Sequence, residues 1–392
     1  MKTIINPDSV LKKIGGCLLL TILAMPGKLY AQTFQDFASS YKQSGEVKEG
    51  QLTFRFESLG FFRNNEYTGS IVAGYTLTGA MVRPKLTYSP VAGMYIEAGA
   101  HLLKYNGMNE QIAAAPWFSA RYRFSERFSV VTGNLDQNNM HGLPEQLWEP
   151  ERIYTDKPEA GLQFLYSGNK LNAQTWISWE QFIQKNDRFQ EHFTFGLTGD
   201  YQAFKNSALS VKLPVQILMY HRGGEINIAP EGGERPGVQT HGNFAAGWEM
   251  SIPAGKKIKT INLNGYWFGY KAITRNSNTL PFNEGHAYLL ETSAQTRNSR
   301  ISLSYWDSFQ FIAPKGRLLY QSVSDINPMI VTANHDMVSA KYLWQKNIDK
   351  NARVAFQAEA YVLIARPVSS FSYSYGFFLL LNTDFFITST KH

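Results

Sequence analysis

The sequence predicts an all-β protein, a transmembrane antiparallel up-and-down β-barrel of about 16 strands, with about 14 to 18 left open. Three observations predict this fold. Apolar and polar residues alternate with period two in one segment after another. Short and long connections follow one another in turn, and the N-terminus is typical of an exported chain.

The N-terminus has the order of a secretory signal peptide. Lys2, Lys12 and Lys13 precede an apolar segment, residues 14–25, and the small residue Ala31 follows it. The apolar segment is shorter than the roughly 20 residues that span a bilayer, so cleavage after Ala31 is favoured over a retained anchor. The predicted organisation is a cleaved signal peptide (1–31), a periplasmic lead-in (32–46), a single transmembrane β-barrel (47–388) and a C-terminal tail (389–392).

Composition excludes several classes of function. Cys17 is the single cysteine and lies in the predicted signal peptide, so the mature chain would have no disulfide, no thiol chemistry and no cysteine metal site. Residues 1–31 hold four of the 38 Lys and Arg and one of the 31 Asp and Glu, which leaves 34 basic and 30 acidic residues. This small excess, without a basic cluster, argues against a nucleic-acid partner.

The alternating segments have the length of membrane-spanning strands. Residues 52–57 alternate Leu, Phe and Phe with Thr, Arg and Glu, and longer runs follow at residues 209–219, 244–252 and 354–362. About ten residues of tilted strand cross a bilayer, so these runs are long enough. The alternation indicates strands with one apolar and one polar face.

One span departs from the pattern. Residues 68–88 begin with apolar side chains at odd positions and end with them at even positions. A β-bulge near Val82 or Pro84 would switch the two faces, and an extra hairpin is the competing explanation.

The connections alternate between short turns and longer loops, which is the layout of hairpins with tight periplasmic turns and long outer loops. Eight long and seven short connections join about sixteen strands and place both chain ends on the periplasmic side. The short turns are 89–93, 125–127, 168–170, 205–206, 253–256, 297–299 and 347–350. The long loops are 59–66, 106–111, 135–157, 183–189, 221–238, 272–283, 311–333 and 366–369.

The apolar face of the strands indicates lipid as its solvent. A soluble β-sandwich also alternates, but its packed core would not accept the Gln, Asn, Ser, Thr and charged residues of the second face, whereas a watery lumen would. Aromatic residues make up 14% of the chain. Several of them lie on the apolar face near strand ends, where interfacial girdles occur: Tyr122, Trp248, Trp267, Tyr342 and Trp344.

Through this pattern, residues 47–388 resemble the porin-like outer-membrane β-barrels of Gram-negative bacteria. The resemblance implies the bacterial outer membrane as location, with outer-membrane lipid and the barrel-assembly machinery as partners, and it leaves a homo-oligomer open. In general porins the third outer loop folds into the lumen and forms the constriction. Such barrels commonly end on an aromatic residue; here residues 388–392 follow the last strand, and Phe385 or Phe386 would take that role.

The third outer loop, residues 135–157, is therefore the candidate pore constriction. Pro144 and Pro150 would stiffen it. Trp148 and Tyr154 suit stacking on a sugar-like ring or packing on the barrel wall, and the wall is favoured. The spacing of the acids matches no calcium loop, so we expect salt bridges here, with no metal and no cofactor. The candidate residues are Asp136, His141, Glu145, Trp148, Glu149, Glu151 and Arg152.

Charged residues of both signs alternate with the apolar residues along the strands, so we expect them to face the lumen. Such charges either create a transverse field that biases the passage of solutes or satisfy one another in the wall. Arg121 and Arg123 lie close to the strand that leads into the long loop, so we expect them to oppose its carboxylates. The lumen-facing candidates are Arg55, Glu97, Arg121, Arg123, Glu159, Glu180, Lys212, Glu249, Arg353 and Glu359.

Three hypotheses of function follow from this pattern. The first is a porin or solute-specific channel that passes small hydrophilic solutes passively through a lumen narrowed by residues 135–157. The second is a non-conducting barrel that acts as partner or anchor in a surface assembly or export complex. A barrel hydrolase comes third, because neither a Gly-x-Ser-x-Gly elbow nor a His-Glu-x-x-His pair occurs, and we expect no enzyme.

Overall fold

The computed structural model describes residues 47–109, 112–136, 141–223, 237–364 and 369–389. The predicted signal peptide and lead-in, residues 1–46, lie outside the described residues, as do residues 390–392 of the predicted tail.

Within these ranges the chain forms a closed, all-antiparallel barrel of sixteen strands, which confirms the predicted fold class and strand number. Each strand pairs with its neighbours along the chain, and β1 pairs with β16 to close the barrel. The strands are β1 (Gln51–Glu66), β2 (Tyr75–Tyr88), β3 (Met94–Tyr105), β4 (Ala113–Arg123), β5 (Phe128–Asn134), β6 (Ala160–Ser167), β7 (Leu171–Gln181), β8 (Glu191–Lys205), β9 (Ser210–Gly223), β10 (Gln239–Pro253), β11 (Thr260–Ala272), β12 (Glu284–Gln295), β13 (Ser299–Phe309), β14 (Asn334–Asn347), β15 (Ala352–Ile364) and β16 (Ser370–Ser389).

The two faces of each strand meet different surroundings. In β9, Leu213, Val215 and Ile217 are exposed on the outside, whereas Gln216 between them is buried on the inside. An outward apolar surface on a closed barrel is what lipid requires, since a closed barrel pairs its backbone groups between strands and presents side chains to the hydrocarbon. Of the residues that the structure describes, none belongs to a helix long and apolar enough to cross a membrane.

The expected bulge in residues 68–88 is wrong. The register of β1 against β2 runs without a shift from Leu52 opposite Tyr88 to Asn65 opposite Tyr75. The change of pattern arises because β2 begins only at Tyr75, and because Leu77 and Met81 point inward and pack on other apolar side chains inside the barrel. β1 also extends to Glu66, so the first outer loop is residues 67–74 and not 59–66.

The loops after β5 and β13 fold into the barrel. We call them L3 (residues 135–159) and L7 (residues 310–333). L3 contains the short helix α1 (Arg152–Thr155), and L7 contains a 3-10 turn, Leu318–Tyr320. Their apolar side chains are buried against inward-facing aromatics of the wall: Leu143, Leu147, Trp148, Phe311 and Tyr320 pack in one cluster with Trp176, Phe268 and Trp306. The hydrophobic core of this protein therefore lies inside its barrel.

Candidate functional site: the charged centre of the lumen

Arg317 of L7 is buried inside the barrel and binds three carboxylates. Its Nη1 is 2.9 Å from Glu145 Oε2 and 3.1 Å from Glu359 Oε2. Its Nε is 3.2 Å from Glu149 Oε1. Glu145 and Glu149 belong to L3 and Glu359 to β15, so one guanidinium joins both loops to the barrel wall. Its planar fork of N–H donors suits such multiple carboxylate contacts.

Arg63 of β1 is the second guanidinium of this network. Its Nε is 3.1 Å from Glu151 Oε1, and its Nη2 binds Glu359 Oε2. Glu151 also accepts hydrogen bonds from Asn65 Nδ2 at 3.1 Å and from the Tyr75 hydroxyl at 2.8 Å. Glu359 therefore bridges the two guanidiniums, and β1 holds the far end of L3.

Lys341 of β14 completes the network from the same side of the barrel, because β14, β15, β16 and β1 are consecutive in the wall. Its ammonium group binds Glu145, which also accepts a 2.6 Å hydrogen bond from the Tyr320 hydroxyl. Backbone contacts add to these side-chain contacts. The Arg317 N–H donates to the Glu145 carbonyl at 2.8 Å, and the Glu149 N–H donates to the Lys315 carbonyl at 2.8 Å. L3 and L7 therefore form one packed unit inside the barrel.

The network holds more carboxylates than cations. Among the described residues it contains Arg63, Arg317 and Lys341 against Glu145, Glu149, Glu151 and Glu359. Burial raises the pKa of the Glu149 carboxyl to about 7; the Arg317 charge opposes this rise, and the Glu151 and Glu145 charges add to it. Burial would also raise the pKa of Glu145, but the Lys341 and Arg317 charges outweigh it, so that pKa is lowered.

His141 attaches L3 to the wall. Its ring stacks on the Trp176 ring, with centroids 3.8 Å apart and planes 10° from parallel. Its Nε2 lies 2.7 Å from Glu159 Oε2, and its carbonyl accepts a 2.8 Å hydrogen bond from Gln174 Nε2. His141 has a positive φ of 49°, a conformation uncommon for a residue with a side chain, and these contacts hold it there.

The other end of L3 packs on the opposite side of the lumen. Tyr154 stacks on Phe61 of β1 with ring centroids 4.7 Å apart, and its carbonyl accepts a 2.7 Å hydrogen bond from the Tyr105 hydroxyl. The Arg152 guanidinium lies over the Trp148 ring, 4.7 Å from its centroid. Trp148 is 2% exposed and Tyr154 5% exposed, so both are used for wall and loop packing and neither presents a free face to a sugar ring.

The structure brings some of the predicted lumen charges to the loops. Arg121 Nη1 lies 2.7 Å from Asp136 Oδ2, as the position of this Arg before the loop suggested. Glu180 binds the ammonium group of Lys315 in L7 at 2.6 Å. The guanidinium of Arg123 lies 3.5 Å from the Tyr95 hydroxyl of β3.

Other predicted charges line the wall away from L3 and L7. Arg55 binds Glu97 at 2.7 Å. Lys212 of β9 is directly opposite Glu249 of β10. Arg353 lies near the periplasmic end of β15 and donates to Asn347 at 2.8 Å. Of these, the Arg55–Glu97 ion pair fits charges that satisfy one another within the wall.

Sequence reasoning did not single out Arg63 and Arg317. Arg63 would have been found if the alternation of β1 had been followed past Leu59 to Glu66. It lies eight residues after Arg55 and therefore on the same face of the strand. Arg317 lies in a loop without periodicity; the only signal is the apolar content of L7, at residues 311–313 and 318–320, which is unusual for an outer loop. Among the described residues, no group of three or more His, Cys, Asp or Glu side chains is placed to hold a metal ion.

The closed barrel, with apolar side chains outside and paired charges inside, defines an outer-membrane β-barrel protein of bacteria. The structure is similar to that of the loop L8 deletion mutant of OmpT from Vibrio cholerae, with 10% identity, a TM-score of 0.50 and coverage of 85% of this chain and 100% of that one. It is also similar to OccK3 (OpdO) of Pseudomonas aeruginosa, with 9% identity, a TM-score of 0.50 and coverage of 85% and 96%. At these identities the likeness concerns the fold, and it confirms the porin-like architecture.

A family model defines the particular family. Residues 42–390 match the model described as lipid A 3'-O-deacylase-type, and the chain belongs to that family. No curated protein matches the chain.

Replacing Arg317 should release both loops. In Arg317→Met three buried carboxylates lose their shared partner, and loss of one member of a buried ion network costs about 3–5 kcal/mol. We expect faster backbone hydrogen exchange in residues 141–157 and 310–333, measured by mass spectrometry on the purified barrel. Arg275→Met is the matched control, because Arg275 is 59% exposed and 3.9 Å from Glu284. Equal protection of both loops in wild type and Arg317→Met would contradict the central role of this residue.

Glu149 should make the docking of L3 depend on pH. Its folded-state pKa of about 7 lies above the ordinary 4.5, so between these values the folded protein holds a proton that the unfolded chain has released. Its contribution to stability is complete below pH 4.5 and is lost as the pH rises through about 7. Loop protection in wild type, relative to Glu149→Gln at the same pH, should fall over this window. The control Glu126→Gln, in an exposed turn, should show the same pH dependence of loop protection as wild type. If the ratio of loop protection in wild type to that in Glu149→Gln stays constant with pH, the prediction is wrong.

Proposed function

We propose that this protein is an outer-membrane channel for the passive passage of small hydrophilic solutes, with a lumen that L3 and L7 narrow. The observation that carries the proposal is the path of L3, which leaves the wall after β5 and reaches charged side chains on the far side of the barrel. Arg63 on β1 and Lys341 on β14 bind carboxylates of this loop, and β14 lies seven strands away from β5 around the sixteen-strand barrel. A segment held from both sides restricts what passes, whereas a loop over the mouth would not.

The predicted constriction residues then have distinct roles. Glu145, Glu149 and Glu151 bind the cations of the central network, while His141 and Trp148 attach the loop to the wall. Asp136 pairs with Arg121 on the preceding strand, and Arg152 packs on Trp148. The mixed charges of the wall would act on any ionic solute that passes close to them.

Shortening L3 tests the channel. A variant in which residues 142–155 are replaced by a short Gly-Ser linker should show a larger single-channel conductance in planar bilayers than wild type. The replacement removes the part of L3 that occupies the lumen, including Glu145, Glu149 and Glu151. The matched control removes residues 185–188 from the exposed loop after β7 and should leave conductance unchanged.

Two outcomes would count against the channel. Absence of conductance in wild type and in the L3 variant would favour the alternative of a non-conducting barrel that acts as partner or anchor in a surface assembly. Equal conductance of wild type and the L3 variant would place the restriction elsewhere than in L3.

A second candidate function is hydrolysis of an ester-linked acyl chain of lipid A, which the family match favours. On the outer surface of the barrel, His221 Nδ1 lies 2.9 Å from the Thr240 hydroxyl, a base and hydroxyl pair of the kind that acyl transfer uses. Under this hypothesis the purified barrel releases fatty acid from lipid A, detected by mass spectrometry, and His221→Ala abolishes the release. Wild-type protein that leaves lipid A intact would support the sequence-based prediction that the chain is not an enzyme.

A further inference from the structure

A cavity of about 90 Å³ lies beneath L3, on the side of the short turns. Asn264 of β11 and Glu291 of β12 line one side of it, and Leu59, Phe378 and Leu380 line another. Since a single water needs about 10–15 Å³ by this measure, the cavity has room for a small organic molecule or several waters. It therefore has one acidic, hydrogen-bonding side and one apolar side.

Glu291 is the carboxylate of this cavity with spare acceptor capacity. Among the described residues it accepts one hydrogen bond, from Asn264 Nδ2 at 3.2 Å. It also forms an ion pair with Arg300, whose Nη2 is 3.6 Å from Glu291 Oε1, beyond hydrogen-bond distance. An ionised carboxylate has about four acceptor positions, so Glu291 can accept further donors from the cavity. Its side chain is 15% exposed, which leaves it within reach of a solute.

The other charged groups around the cavity are already engaged. Glu359 binds Arg63 and Arg317, and Glu145 binds Arg317 and Lys341. The two guanidiniums that line the cavity therefore have carboxylate partners, and an anionic solute would have to compete with those partners. An anion would also approach the free acceptor side of Glu291, which repels it. The available interaction is with a cation that donates hydrogen bonds.

The apolar side of the cavity selects for a hydrocarbon group on that cation. Leu59, Phe378 and Leu380 form this side of the cavity, and they belong to the apolar cluster that also contains Ile153 and Tyr154 of L3. A short alkyl chain would bury apolar area against this side while its ammonium group binds Glu291.

We infer that Glu291 and Asn264 form a binding subsite for the ammonium group of a small amphipathic amine, whose alkyl part lies against Leu59, Phe378 and Leu380. This inference rests on the proposed channel function, because it names the class of solute that the lumen holds on its way through. Glu291 contributes a charge-assisted hydrogen bond, and Asn264 orients its carboxylate.

Butylammonium chloride is the probe that tests the subsite. In planar bilayers with wild-type barrel, a gradient of this salt should give a reversal potential that shows preference for the cation. Calorimetry on the purified barrel should show binding. In Glu291→Gln the cation preference should disappear and the affinity should fall by about tenfold or more, because a charge-assisted hydrogen bond is lost.

Two control variants test whether the position of the carboxylate matters and whether the apolar contact contributes to binding. Asp200→Asn removes a carboxylate from β8 that does not line the cavity, and it should keep wild-type binding. Wild type should bind butylammonium more tightly than methylammonium, and Leu380→Thr should reduce this preference while it leaves methylammonium affinity unchanged. Circular dichroism of each variant shows whether the barrel has formed.

The outcomes distinguish the subsite from the channel. A barrel that conducts, but binds butylammonium equally in wild type and Glu291→Gln or does not bind it at all, overturns the subsite and leaves the channel intact. A barrel without conductance overturns the proposed function. The calorimetric comparison of wild type and Glu291→Gln then tests the subsite without any conductance measurement. Binding that Glu291→Gln abolishes and Asp200→Asn preserves supports it.

Discussion

The interior of this barrel depends on one buried carboxylate, Glu359 of β15. It binds Arg63 of β1 and Arg317 of L7, and the Ser374 hydroxyl donates to it at 2.8 Å. Removing ions from water costs several kcal/mol each, so charges at this depth persist only when each has partners in good geometry. Arg317 is held here by Glu359 and in turn binds Glu145 and Glu149. The positions of L7 and L3 inside the lumen follow from that chain of ion pairs.

Filling the lumen changes what the inner wall is made of. An open water-filled barrel needs a polar inner face, but here the wall beneath the loops is partly apolar, as at Met81 and Phe378. These residues pack against Ile153 and Tyr154 of L3 in the same way that a core packs in a soluble protein. Apolar side chains therefore serve both faces of the barrel, lipid on the outside and loop packing on the inside. This is why the alternation of apolar and polar residues weakens along β2.

The proposed channel and the proposed hydrolase are compatible with one scaffold. Outer-membrane barrels host channels and enzymes alike, so the function depends on the site and not on the barrel. The lumen presents paired charges, a narrowing made of L3 and L7, and a cavity with one acidic and one apolar side, all of which concern a solute inside the barrel. The family match concerns a lipid substrate, which would meet the outer surface where His221 and Thr240 lie. The two proposed activities would therefore use different surfaces of the barrel, and different experiments test them.

The sequence by itself determined the barrel, the number of its strands, the inner and outer faces of the strands with clear alternation, and the place of L3 as the third outer loop. It could do so because period-two alternation and turn residues are local signals that repeat along the chain. The contacts inside the lumen were decided only by the tertiary structure. Arg63 and Glu359 are 296 residues apart in sequence, and Lys341 and Glu145 are 196 apart. No periodicity marks Arg317 or the entry of L7, because loop side chains acquire their partners only when the barrel closes and brings β1, β14 and β15 around them.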